Sequence, residues 1–259
     1  MYSYISSYFK FLLKSTNQHG IHSPFIFNFI TKCLYKKVPN NKQIQNITDN
    51  RKSLLTNHHK INVTDFGAGS RIFKSNIRSI SKIAKNAGIS TKRGKLLYQM
   101  VQYFESEQIL EIGTSLGIAT TYLSLANSAA KITTLEGCKE TAKIAQDHFN
   151  KLEMDNVKIN IGDFKDTLSK TISNKKYDLI YFDGNHQKEA TLNYFEQCLE
   201  TIHNESIFIF DDIHWSKPMG QAWEYILNHP KVTVSIDTFQ WGIIFFRKEQ
   251  LKEHFMLRV

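Results

Sequence analysis

Acidic residues close the apolar runs in the C-terminal part of this chain, and they are the first place to look for chemistry. Glu111 ends "QILE", Glu136 ends "KITTLE", Asp163 follows "VKINIG", Asp183 follows "YDLIYF", and Asp211 and Asp212 follow "SIFIF". Carboxylates resist burial and repel one another, so acids at the ends of buried strands call for hydrogen-bond donors or a cation. The adjacent pair Asp211 and Asp212 makes that demand most sharply. In an open α/β sheet, ligands bind at the carboxyl ends of the strands, which is where these residues stand.

Each strand end suggests a role. In "LEIGTSLGIATTYL", Gly113 and Gly117 let the backbone turn tightly beside a ligand, and Thr114 and Ser115 offer hydroxyls at a helix start. The loop is not the GxGxxG dinucleotide fingerprint, because three residues separate its glycines. Glu136 lies 25 residues after Glu111, about where an acid accepts hydrogen bonds from a ribose diol. Asp163 stands where a carboxylate can meet an adenine amino group. The strands ending at Asp183 and at Asp211 and Asp212 are neighbours in a doubly wound order, so these carboxylates are expected to converge. An all-oxygen set of this kind suits Mg²⁺, Mn²⁺ or Ca²⁺ rather than zinc. His186 and His214 each follow an aspartate by three residues, and either imidazole could serve as a general base near neutral pH. Trp215 and Trp241 are candidate walls of an acceptor pocket, although core packing is the commoner role of tryptophan.

Together these residues resemble the class I S-adenosylmethionine-dependent methyltransferases, over roughly residues 105 to 250. The resemblance implies that Glu111, Gly113 and Gly117 frame the methionine part of the cofactor, Glu136 the ribose and Asp163 the adenine, with Asp183 at the edge of the same site. The acids after the fourth and fifth strands are also similar to those of metal-dependent O-methyltransferases, both the catechol type and the macrolide-sugar type. That likeness implies a divalent cation, Mg²⁺ or similar, on Asp183, Asp211 and Asp212, binding the acceptor hydroxyl and lowering its pKa. Asp212 stands where the catechol type has Asn, which weakens the catechol assignment more than it weakens metal binding. "DGNH" replaces an NPPY-like sequence, which argues against methylation of exocyclic nitrogens.

The elements that must position these residues read as two regimes. From residue 105 onward, short apolar runs alternate with helical patterns, which predicts a parallel sheet covered on both faces. The expected fold is α/β: a doubly wound, Rossmann-like sheet of seven mostly parallel strands. The last two runs are joined by only "QW" and should pair antiparallel. Residues 1–104 are expected to form a helical cap that shapes the acceptor pocket, and residues 105–259 the catalytic domain. In the cap, Ser23 and Pro24 start one helix, "RSISKIAKNAG" forms a second, and Ser90 or Thr91 caps a third. The stretch 38–60 reads as polar and mobile. "VTDFGAGS" also looks like a strand with a glycine loop, but no acidic second strand end follows it. Gly67 and Gly69 therefore read as turn residues, with a place near the cofactor left open.

Composition sets the remaining bounds. With 41% apolar and 22% charged residues among 259, the chain can bury a large core. The three cysteines, Cys33, Cys138 and Cys198, are too far apart for a CxxC site and odd in number, as in a reduced, cytoplasmic protein. No apolar run has membrane-spanning length, and the start lacks the features of a signal peptide. The aromatic N-terminus "YSYISSYFKFLLK" reads as a helix packed on the domain or on a homodimer partner in preference to one lying on a membrane. "HGIH" at 19–22 has no further ligands nearby and reads as structural. A net charge of +9 slightly favours an anionic acceptor and makes an RNA methyltransferase the first rival, although the basic residues are scattered; a small-molecule or sugar acceptor is what the O-methyltransferase resemblance implies. A regulatory protein that only binds the cofactor is the other rival. Retention of Asp183, Asp211 and Asp212 argues against it.

Overall fold

The computed structural model describes residues 2–39, 41–64, 66–67 and 75–259. Its helices are α1 (Tyr2–Lys14), α2 (Pro24–Asn28, continued by a wider turn over Phe29–Leu34), α3 (Lys42–Thr56), α4 (Ile80–Asn86), α5 (Thr91–Tyr103), α6 (Ile118–Ala126), α7 (Lys139–Lys151), α8 (Phe164–Ile172), α9 (Lys188–Cys198) and α10 (Lys217–Asn228). The strands are β1 (Lys60–Asn62), β2 (Ile77–Ser79), β3 (Gln108–Ile112), β4 (Lys131–Glu136), β5 (Val157–Ile161), β6 (Leu179–Phe182), β7 (Ile207–Asp211), β8 (Val234–Asp237), β9 (Trp241–Phe245) and β10 (Glu253–Met256). The chain divides into two compact units, Met1–Tyr35 with Ile172–Val259, and Lys36–Thr171.

In the unit Lys36–Thr171, β3, β4 and β5 lie parallel, with Ile112 opposite Leu135 and Glu136 opposite Ile161. Parallel pairing needs a crossover of a dozen or more residues, which α6 and α7 supply. Ile109, Leu110 and Ile112 are fully buried, as expected of a strand covered on both faces. The side chain of Ser90 accepts a hydrogen bond from the Arg93 N–H and so caps α5.

The other unit carries β10, β8, β9, β7 and β6 in that order. β6 and β7 are parallel, while β9 runs antiparallel to both β7 and β8, as the short connection required. That connection is Thr238–Gln240, and Phe239 there adopts φ 72°. Phe182 stacks on Phe210 at 4.3 Å, and Phe195 meets Phe208 edge-on at 6.4 Å, so aromatic rings fill this core.

Two expectations are corrected. The strands β3 to β10 number eight and not seven, because the half-exposed segment Glu253–Met256 pairs in parallel with β8. Within the polar stretch 38–60, Lys42–Thr56 form a helix: Asn41 caps α3 by accepting from the Ile44 N–H at 2.9 Å, and Ile44, Ile47 and Leu54 are buried. One apolar stripe is enough to hold an otherwise polar helix.

Candidate functional site

In the unit Lys36–Thr171, the parallel register brings Glu111, Glu136 and Asp163 to successive strand ends. The turn after β3 is built from left-handed backbone, with φ 112° at Gly113, 49° at Ser115 and 75° at Gly117. A Cβ on Gly117 would fall 2.7 Å from the Phe149 ring, so both conformation and packing require glycine there. The main-chain N–H groups of Gly113 and Thr114 both donate to the Leu135 carbonyl, at 3.0 and 3.1 Å.

Glu136 ties this turn to β4. Its Oε2 accepts from the Ser115 N–H at 2.6 Å, and its Oε1 accepts from the Cys138 N–H at 2.8 Å. Burial raises the Glu136 pKa, and the two backbone donors oppose the rise. Each carboxylate oxygen has a second lone pair for a further donor. Asp163 accepts from the Lys165 N–H at 3.0 Å through Oδ1 and so holds the start of α8.

Glu111 is fully buried. Its Oε2 accepts from Thr120 Oγ1 at 2.5 Å and Thr134 Oγ1 at 2.6 Å, whereas its Oε1 has no hydrogen-bond partner among the described residues. Burial pushes its pKa up to about 7 against the pull of the two hydroxyls. Thr114 Oγ1 lies 2.6 Å from Thr134 Oγ1, so this hydroxyl belongs to the same buried cluster.

One neighbour was missed by sequence reasoning. An added Cβ at Gly137 would fall 2.7 Å from the Phe66 ring, which places this half-exposed aromatic directly beside the Glu136 strand end. Phe66 belongs to the stretch read as a turn, and its type alone gave no signal. Gly67 sits in a bend, and Gly69 lies outside the described residues.

In the other unit, Phe182 pairs with Phe210, so Asp183 and Asp211 leave adjacent strands side by side. The buried Tyr181 hydroxyl lies 3.1 Å from Asp183 Oδ2 and 3.4 Å from Asp211 Oδ2. The His186 Nε2 stands 4.0 Å from Asp183 Oδ1. Asp212 has φ 55°, and its N–H donates to Asp211 Oδ1 at 2.9 Å. Among the described residues, no three His, Cys, Asp or Glu side chains are grouped as a metal would need. The acid oxygens of Asp183 and Asp211 are nonetheless the donor type that suits Mg²⁺. The Trp241 ring meets Tyr181 edge-on at 6.0 Å and is buried with it.

His214 faces a different acid from the one expected. Its Nε2 lies 2.7 Å from Oδ2 of the buried Asp237, whose Oδ1 accepts from the Phe239 N–H at 2.6 Å. The imidazole stacks on the Phe239 ring at 5.0 Å. An ionised Asp237 sets the proton on Nε2 and leaves Nδ1 as the basic nitrogen. His214 also lines a cavity of about 290 Å³ with Ser7, Ser216, Lys217, Gln221 and Glu224. Asp237 closes the strand "VSID", so the strand-end rule that found the other acids could have found it.

Comparison with known proteins adds family information to this geometry. Residues 110–213 match the model of a methyltransferase domain. A catechol O-methyltransferase of Mycobacterium tuberculosis is 25% identical over 127 residues, which are 48% of this chain and 56% of the relative. The chain thus spans little more than half the length of that relative. The O-methyltransferase TomG from Streptomyces achromogenes, solved in complex with S-adenosylmethionine, superposes with a TM-score of 0.59 at 15% identity, covering 86% of this chain and 95% of its own. The O-methyltransferase from Bacillus cereus, solved with S-adenosylhomocysteine, gives a TM-score of 0.55 at 21% identity, with coverage of 80% and 90%. Residues 110–213 thus match a methyltransferase domain, and the chain shares the Rossmann-like α/β fold of these solved methyltransferases.

Proposed function

We propose that this chain, which carries a methyltransferase domain over residues 110–213, transfers a methyl group from S-adenosylmethionine to a hydroxyl oxygen of a small molecule or sugar. The observation that carries the reading is Glu136, whose carboxylate holds the left-handed turn after β3 through the Ser115 N–H. An acid so placed binds a ribose diol, and the glycines beside it admit the methionine part. Asp163 takes the adenine edge, and the Oε1 of Glu111 is a buried oxygen with no partner among the described residues.

In the transfer, the acceptor oxygen attacks the sulfonium methyl. The new C–O bond forms as the C–S bond breaks, and the electron pair stays on sulfur to give S-adenosylhomocysteine. The acceptor's proton must leave, and His186 and His214 are the imidazoles able to take it. The orienting contact with Asp237 favours His214. Asp183 and Asp211, which meet at the Tyr181 hydroxyl, would hold a divalent cation, and such an ion would lower the acceptor's pKa. The N-terminal helix is taken as part of a cap that shapes the acceptor pocket, a reading supported by Ser7 lining the cavity beside His214. The three cysteines are free and buried, which suits a cytoplasmic location.

Calorimetric titration with S-adenosylhomocysteine, with and without Mg²⁺, tests the reading. Saturable binding is expected in both conditions, with a further heat on adding metal. Absence of binding in both conditions overturns the assignment. Dialysis against a chelator is expected to stop turnover, and unchanged activity would remove the cation from the mechanism.

A further inference from the structure

Helix α1 presents three distinct faces. Tyr4, Tyr8 and Phe11 lie against Phe239, with ring centroids 5.1, 4.8 and 5.5 Å away; Phe11 is buried, and Tyr4 and Tyr8 keep an exposed side. Ile5, Phe9 and Leu13, spaced by four residues, form a second stripe that is 49%, 62% and 87% exposed. Each is one position ahead of a polar residue, and at about 100° per residue the third stripe holds Ser6, Lys10 and Lys14. An apolar ridge bordered by lysines on a helix already anchored by its opposite side is not what a solvated surface helix needs.

The charge on α1 itself is one-sided, with Lys10 and Lys14 and no acid, although Glu224 lines the cavity beside Ser7. No Asp or Glu precedes Asp49 in the sequence, and the chain as a whole carries +9. A second copy docking ridge to ridge would bring Lys10 and Lys14 of each copy together, with no acid on either helix to offset them. An anionic lipid surface meets both demands, because acyl chains cover Ile5, Phe9 and Leu13 while the headgroups pair with the lysines.

We propose that α1 is a peripheral membrane anchor that seats the protein on anionic lipid through the Ile5, Phe9 and Leu13 ridge and the Lys10 and Lys14 stripe. The proposal is independent of the methyl-transfer reading. Co-sedimentation of the full chain with equimolar phosphatidylglycerol–phosphatidylcholine vesicles, and with pure phosphatidylcholine vesicles, tests it at low and high salt. Binding to the anionic vesicles is expected to exceed binding to the neutral ones by roughly tenfold or more, and to weaken with salt. The double variants Phe9→Glu/Leu13→Glu and Lys10→Glu/Lys14→Glu should each lose most of that binding while keeping the wild-type melting temperature, since all four side chains are exposed. Equal binding to both vesicle types, no binding, or binding unchanged in the variants overturns the proposal. Concentration-dependent dimerisation abolished by Phe9→Glu, without vesicle binding, would overturn it in favour of a second copy.

Discussion

The Ser115 N–H donates to Glu136 Oε2 at 2.6 Å, so a carboxylate on one strand end fixes the backbone of the turn that follows its neighbour. The bond links two sequence signals that were read separately, the glycine turn and the second acid. Glu136→Ala removes the acceptor for both Ser115 and Cys138. It is expected to weaken S-adenosylhomocysteine binding by at least about tenfold, the loss of one or two charge-assisted hydrogen bonds. Unchanged calorimetric affinity would remove the ribose role from Glu136.

The strand-end acids were legible because each closes an apolar run, and the alternation of runs with helical patterns fixed their sheet. Helix α3 was harder to see. Ile44, Ile47 and Leu54 are sparse among polar residues, and only packing in the fold shows that they share a buried side. Strand β10 was missed for a related reason, since a half-exposed edge segment has no continuous apolar run. Asp237 was legible as a strand-end acid, but its pairing with His214 was not. Asp237 lies 23 residues away in sequence, and its 2.7 Å contact exists only once β8 has paired with β9. The neighbouring strand order did place Asp183 beside Asp211, but the Tyr181 hydroxyl that joins them shows only in the folded chain.

Glu111 makes stability depend on pH. Its folded pKa of about 7 lies above the ordinary value of 4.5, so the folded chain retains a proton that the unfolded chain releases. Stability from this group is fully present below pH 4.5 and is lost as pH rises through about 7. A shift of that size corresponds to roughly 3 kcal/mol as an upper bound. Denaturant titrations at pH 5 and pH 8 are expected to show wild type losing stability between the two, and Glu111→Gln losing about 1–3 kcal/mol less. An unchanged difference in the variant would assign the titration to another group.

Gly117 should tolerate no side chain. Alanine at φ 75° incurs a left-handed penalty, and its Cβ meets the buried Phe149 ring at 2.7 Å. Gly117→Ala is expected to destabilise the fold by about 2–4 kcal/mol, measured by chemical denaturation, and to weaken cofactor binding with it. A loss below about 0.5 kcal/mol would mean that the turn relaxes and that its geometry is not fixed by this residue.

The two candidate bases differ in what orients them. Asp237 holds His214 by a 2.7 Å contact and turns Nδ1 into the basic nitrogen, whereas His186 stands 4.0 Å from Asp183, beyond hydrogen-bond reach. Proton removal by a positioned imidazole contributes about 10²–10⁴-fold, so His214→Gln should lower kcat within that range. Cofactor affinity should stay the same, because the proposed ribose contact is Glu136 and His214 is proposed only as the base. His186→Gln should retain most of the activity. Asp237→Asn should fall between them, with kcat reduced more than KM is changed, since the amide still accepts from Nε2 but no longer stabilises the imidazolium. If instead His186→Gln is the inactive variant and His214→Gln turns over normally, the base is the histidine beside Asp183, and the His214 and Asp237 pair serves only to hold the connection between β8 and β9.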